Sequence, residues 1–196
     1  MSTLEVNKIT PQGVATEVTL GDSGDTFTIP SGVTLDGSSA TLTGFPNPDN
    51  TPAFRMFMSA NQTLSPNTET KIQMNTTSGN SNTGWDTNSA FDTSNYKFTV
   101  PSGEGGKYYF KGCILLEYAD GFNEYGRMMF YVNGAEKANF RQGMSSSGLE
   151  YSLTLSAILN LSASDYVELY ARNLGATTIK GGSDRRSYFG AYRIGD

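Results

Sequence analysis

The chain contains no histidine and one cysteine, Cys113. The first absence removes the commonest general base and the commonest metal ligand. The second excludes an intrachain disulfide and a cysteine-based zinc site within one chain. Long apolar runs are missing as well, and none approaches the roughly 18 residues of a membrane helix. The opening MSTLEVNKITPQG is polar and lacks the basic and apolar stretches of a secretion signal. These features are the expectation for a soluble protein made in a reducing cytoplasm. Charged residues make up only 17% of the chain and form no basic block, so nothing offers to neutralise a phosphate backbone.

What is present points to sheets. The 196 residues include 22 glycines and 12% aromatics, a profile suited to a turn-rich all-β protein. The charge is unevenly placed. Residues 1–53 carry Glu5, Glu17, Asp22, Asp25, Asp36 and Asp49 against Lys8 alone, while 54–196 hold 13 charges of each sign. The net charge of −5 therefore resides in the first quarter. That quarter reads either as a solvated extension or as an acidic arm for a basic partner surface.

The arm spans 1–44 and a proline-rich linker spans 45–53, FPNPDNTPA, where Pro46, Pro48 and Pro52 stiffen the backbone. Within the arm, short alternating segments (VTLGD, FTIPSG, VTLDG, ATLTG) each end on turn residues at irregular spacing. Isolated hairpins are marginal in water, so Leu20, Phe27, Ile29 and Leu35 need a partner. The expectation is an extended N-terminal β arm or stalk wound from several copies. Together with Leu4, Val6 and Ile9, these residues are the candidates for anchoring the chain to a particle.

From Phe54 onward the spacing predicts strands at 54–60, 69–75, 96–100, 107–118, 125–133, 135–141, 149–160, 165–173 and 187–194, separated by Asn, Gly, Ser and Asp. Many short strands joined by turns imply a sandwich or barrel. On 107–118, Tyr108, Phe110, Gly112, Ile114 and Leu116 share one face, and Tyr109, Lys111, Cys113, Leu115 and Glu117 share the other. Both faces carry apolar residues, as does the run Met128 to Val132, and such strands are often covered twice. A neighbouring subunit is the natural second cover.

The order of motifs in 54–196 resembles the globular domain of complement C1q, in the C1q/TNF-like superfamily of trimeric jelly rolls. Phe98, a turn and Gly106-Lys107-Tyr108-Tyr109-Phe110 are similar to its core signature. Trp85-Asp86 and Phe91 match its aromatic lead-in, and Tyr131-Val132-Asn133-Gly134 its Asn-Gly hairpin. Leu161 to Leu169 and Ser187 to Tyr192 match its last two motifs. The chain departs from the pattern in a turn two residues longer after Phe98, in Gly112 at an aromatic position, and in Ser164 and Ala191 at glycine positions. The resemblance implies a C1q/TNF-like jelly-roll sandwich and a homotrimer. Tyr108, Phe110, Ile114, Met129, Tyr131, Phe189 and Tyr192 are the expected trimer-interface residues. The arm separately resembles N-terminal parts of phage virion proteins, which implies residence in a virion.

Candidate chemistry is sparse. Asp86, Asp92 and Asp120 lie in loops and offer oxygen ligands suited to calcium, but no loop has the spacing of a dedicated site, so they read as turn-forming carboxylates. Trp85, Tyr118, Phe122, Tyr125, Arg185 and Arg186 are candidate receptor-contact residues in loops. No nucleophile–base pair, phosphate loop or metal cluster is legible, so no enzyme activity, cofactor or metal is expected. The expected role is a trimeric bacteriophage structural protein, a short tail fibre or spike that binds a host glycan or protein. A capsid decoration protein at threefold positions and a C1q-like recognition module outside a virion are the alternatives. Other virion proteins are the expected partners; nucleic acid and membrane insertion are not expected.

Overall fold

The computed structural model describes residues 26, 28, 31–32, 50–79, 83–117, 122–146, 150–175, 177–182 and 186–195, without the side chains of 122–124 and 144–146. The chain divides into two units, Met1–Pro46 and Asn47–Asp196. The arm residues Leu4, Val6, Ile9, Leu20, Phe27, Ile29 and Leu35 lie outside the described residues, as do Tyr118, Asp120 and Arg185.

The second unit is built from strands alone among its described residues. In chain order they are β1 (Ala53–Phe57), β2 (Gln62–Leu64), β3 (Thr70–Lys71), β4 (Trp85–Asp86), β5 (Phe91–Asp92), β6 (Lys97–Thr99), β7 (Gly106–Glu117), β8 (Phe122–Val132), β9 (Ala135–Ser146), β10 (Glu150–Leu161), β11 (Tyr166–Asn173), β12 (Thr177–Ile179) and β13 (Tyr188–Gly195). All pairings are antiparallel and form two sheets. The first runs β4-β1-β13-β7, with β10 on the far side of β7 and β12-β2 prolonging the β13 side. The second runs β5-β6-β11-β8-β9, with β3 beside β11.

The long strands fall where alternation predicts them. The two-residue and three-residue strands β2, β4, β5 and β12 are too short to show a period and were not among the predicted ones. The turn Asn133-Gly134 joins β8 to β9 with φ of 51° and 78°. Those left-handed angles give the primed turn that matches the twist of a hairpin, and Asn-Gly reaches them most readily. Asn133 also donates from Nδ2 to Asp165 Oδ1 at 2.7 Å and accepts the Tyr166 N–H at 3.0 Å, tying this turn to the β10–β11 turn. That bond and the Ser162 N–H hold the Asp165 carboxyl below its ordinary range. Ser164, where the resembled family carries glycine, has φ 72°, a left-handed angle that costs a side-chain-bearing residue.

The core lies between the sheets and is dominated by rings. Phe54 stacks on Phe98 at 4.9 Å between centroids and meets Phe189 edge-on at 5.1 Å. Phe110 reaches Phe98, Phe130 and Phe189, each at 5.9 Å. Gly112 also faces inward. A Cβ there would come within 3.0 Å of Met128 Cε and 3.1 Å of Leu169 Cδ1, so the volume of the expected aromatic is filled from the opposite sheet.

This core corrects the expected trimer interface. Tyr108, Phe110, Ile114 and Phe189 are fully buried inside one subunit, and Met129 is fully buried as well. Alternation identified the faces of β7 correctly, but the face expected to meet a neighbouring chain is the one that closes the sandwich. Of the seven residues, Tyr192 is exposed and Tyr131 is half-buried on the outer face of the second sheet.

Candidate subunit and ligand interface

The two sheets turn different surfaces outward. On the first sheet the register lines up Ala53, Tyr192, Tyr109 and Ile158 across β1, β13, β7 and β10. All four belong to the outward set of their strands. Tyr192 and Ile158 are 41% and 62% exposed, and the Tyr109 and Tyr192 rings lie 5.5 Å apart. Ile194, in the bulge near the end of β13, adds a further exposed aliphatic side chain.

The neighbouring row is Trp85, Arg55, Gly190 and Lys111 across β4, β1, β13 and β7. Its floor is Gly190, where a Cβ would come within 2.8 Å of the Phe54 carbonyl oxygen. Over it opens a groove of about 300 Å3, walled by Trp85, Tyr109, Tyr188 and Tyr192 with Arg55 and Lys111. Trp85, the only tryptophan, stands 47% exposed at its rim. The Arg55 guanidinium carbon lies 4.8 Å from the Tyr188 ring centroid and 5.2 Å from that of Phe57. Its Nε is buried with no hydrogen-bond partner. The Tyr188 hydroxyl bonds the Lys111 ammonium and raises its pKa.

The second sheet's outer face is polar and internally paired. Lys71 Nζ sits 2.7 Å from Glu168 Oε1, and Glu168 is only 6% exposed. That bond raises the Lys71 pKa. Arg127 donates to both oxygens of Glu136 at 2.7 Å. Tyr131 donates to Glu69 at 2.5 Å, which together with burial pushes its pKa up to about 12. Its ring packs on Tyr170 at 4.4 Å. Arg172 is bonded to Asn67, and Lys97 lies 4.6 Å over the Tyr166 ring.

The structure scatters the expected receptor-contact residues. Trp85 lies at the edge of the first sheet, on β4. Tyr125 is on β8 of the second sheet with the Arg141 guanidinium 3.3 Å over its ring, and Arg186 pairs with Glu150 at 3.2 Å. Phe122 belongs to β8, not to a loop. Asp86 accepts the N–H groups of Ala90 and Phe91 at 3.0 Å each, and Asp92 those of Ser94 and Asn95, so both carboxylates organise their own turns. No group of three metal-ligating side chains is found among the described residues. Sequence reading missed Arg55, Lys111, Tyr188 and Gly190 as a set. They come from three strands, and only the alternation of β7 signalled that Tyr109 and Lys111 share a face.

Comparison with solved structures decides the fold. The globular domain of zebrafish complement 1qA protein is similar over 73% of this chain and 97% of its own length, with a TM-score of 0.50 and 15% sequence identity. The fold is a C1q-like jelly roll. No family model and no curated protein sequence matches the chain.

Proposed function

We propose that the chain is a homotrimeric structural protein of a bacteriophage virion, of the short tail-fibre or spike type, with a C1q-like head that meets the host. The observation that carries assembly is the row Tyr192, Tyr109 and Ile158, in which Tyr192 and Ile158 are exposed on one subunit and Tyr109 is half-buried between them. Burying what each still exposes gains on the order of 1 kcal/mol, a fraction of the value for a fully exposed side chain. Three copies sharing this face around an axis form a closed ring and stabilise one another by mass action. The interface read from this face centres on Ile158 and Ile194, not on the inward residues of the same strands, with Tyr109 and Tyr192 at its edge toward β1 and β4. The acidic, β-patterned arm supports anchoring on the particle, and three heads on one stalk give multivalent attachment. The single small head favours a second reading, a capsid decoration protein.

Sedimentation of the purified full chain tests assembly. A trimer that Tyr109→Ser together with Ile158→Ser dissociates supports the reading; a concentrated, stable monomer overturns it. Imaging of particles with the chain labelled tests the virion. Binding of the purified protein to host cells supports the fibre or spike, and binding to expanded capsids supports decoration.

A further inference from the structure

We infer that the groove over Gly190 is a binding site for an acidic saccharide, a sugar ring bearing a carboxylate. This deepens the host-binding reading and rests on it. Three observations converge. First, the groove is rich in ring surface, with Trp85 and Tyr192 each somewhat under half exposed and Tyr109 and Tyr188 in its walls. Aromatic side chains offer an apolar face for the C–H side of a pyranose while their polar tips stay wet. Second, the polar charge in the groove is cationic, Arg55 and Lys111, and no carboxylate is among the described residues that line it. Arg55 has no carboxylate partner among the described residues, so its charge in the groove is not matched within the subunit.

Third, the described residues of the head do not supply the anion. Every carboxylate with a described side chain is already engaged. Glu69 and Glu136 hold Arg127, Glu104 faces Arg193, and Glu117 pairs with Lys180. Glu150 pairs with Arg186 and Glu168 with Lys71. Asp86, Asp92 and Asp165 bind their own turns. The described head of a second copy thus has no spare acid to offer, and a foreign anion fits the charge. A peptide strand fits less well, because the groove lies across β4-β1-β13-β7, where ladder bonds already occupy the backbone groups. A sugar lays its apolar side on the rings, gives its carboxylate to Arg55 and Lys111, and leaves its hydroxyls to water.

Trp85, being the only tryptophan, reports on the site directly. Trigalacturonate and its methyl ester are titrated into the full-length protein while Trp85 fluorescence is followed, with sedimentation run in parallel. The expected result is a saturable change with the acid, at least about tenfold weaker with the ester, and weakened about tenfold by Arg55→Gln or by Lys111→Gln. Equal response to acid and ester, no response, or a response untouched by both variants overturns the inference. A trimer in which acrylamide cannot quench Trp85 also overturns it, since a second copy then fills the groove, and leaves the trimer reading intact. A monomer that binds the acid with the stated variant losses upholds the site and sinks the trimer. Saturable response to an acidic peptide in place of the saccharide moves the site to a protein ligand and overturns the proposal.

Discussion

The outer faces of the two sheets share one core but solve opposite problems. On the second sheet, Lys71, Arg127 and Tyr131 each find a partner within the same subunit, at 2.7, 2.7 and 2.5 Å. On the first, Trp85, Tyr192 and Ile158 are exposed, Tyr192 packs on the half-buried Tyr109, and Arg55 keeps an unmatched donor. A face whose polar groups are satisfied internally gains nothing from a partner and pays desolvation to meet one. A face of part-exposed rings around a cation with no carboxylate partner among the described residues gains from one. The contrast separates a surface closed within the subunit from one left open, the surface to which the proposed interface and groove are assigned.

The sharpest way to break this contrast uses two adjacent residues. Phe110→Ala removes the centre of the ring cluster and is expected to cost about 3–5 kcal/mol in urea unfolding. Tyr109→Ser, on the opposite side of the same strand, is expected to cost under about 1 kcal/mol at a dilution where subunits are single. Its effect appears instead as a lower sedimenting mass at high concentration. Equal destabilisation by the two would erase the distinction between core face and working face.

A smaller effect is expected on the paired face. Lys71→Ala strands the Glu168 carboxylate, and since Lys71 is a third exposed the expected loss is about 2 kcal/mol, below that of a fully buried pair. Thermal unfolding measures it, and sedimentation is expected not to change. The same face should fail first in alkali. Tyr131 has its pKa raised from 10.0 to about 12 in the folded state, and Lys71 and Tyr170 are raised too. A raised folded pKa contributes stability that is full below the unfolded value and is lost as pH climbs through the folded one. Stability should therefore decline between about pH 10 and 12, and Tyr131→Phe should flatten part of that decline. An unchanged slope in the variant would place the alkaline sensitivity elsewhere, the buried Tyr108 being next in line. A small gain is expected at the seam between the sheets. Ser164→Gly, at φ 72°, should raise stability by about 1 kcal/mol without moving mass or ligand binding.

Much of the fold was legible because long strands write a period of two. The stretches 107–118, 149–160 and 187–194 each overlap an observed strand, and Asn133-Gly134 announced its hairpin. The four short strands left no such trace. The candidate site was legible only in fragments. Trp85 stood out as the lone tryptophan, but Arg55, Gly190 and Lys111 sit on separate strands whose neighbours are set by pairing across the sheet, 55 with 190 and 190 with 111. Register between distant segments is not local information.

The amino-acid order alone fixed an all-β head, the two faces of each long strand, the lack of histidine chemistry and an acidic first quarter. Which face of β7 would be interior was decided only when the sheets closed on each other. Alternation says that residues 108 and 109 differ, whereas only packing against Phe98 and Phe130 makes Phe110 core and leaves Tyr109 outside. The groove is likewise a tertiary product, since a glycine becomes a floor only when three other strands bring walls to it.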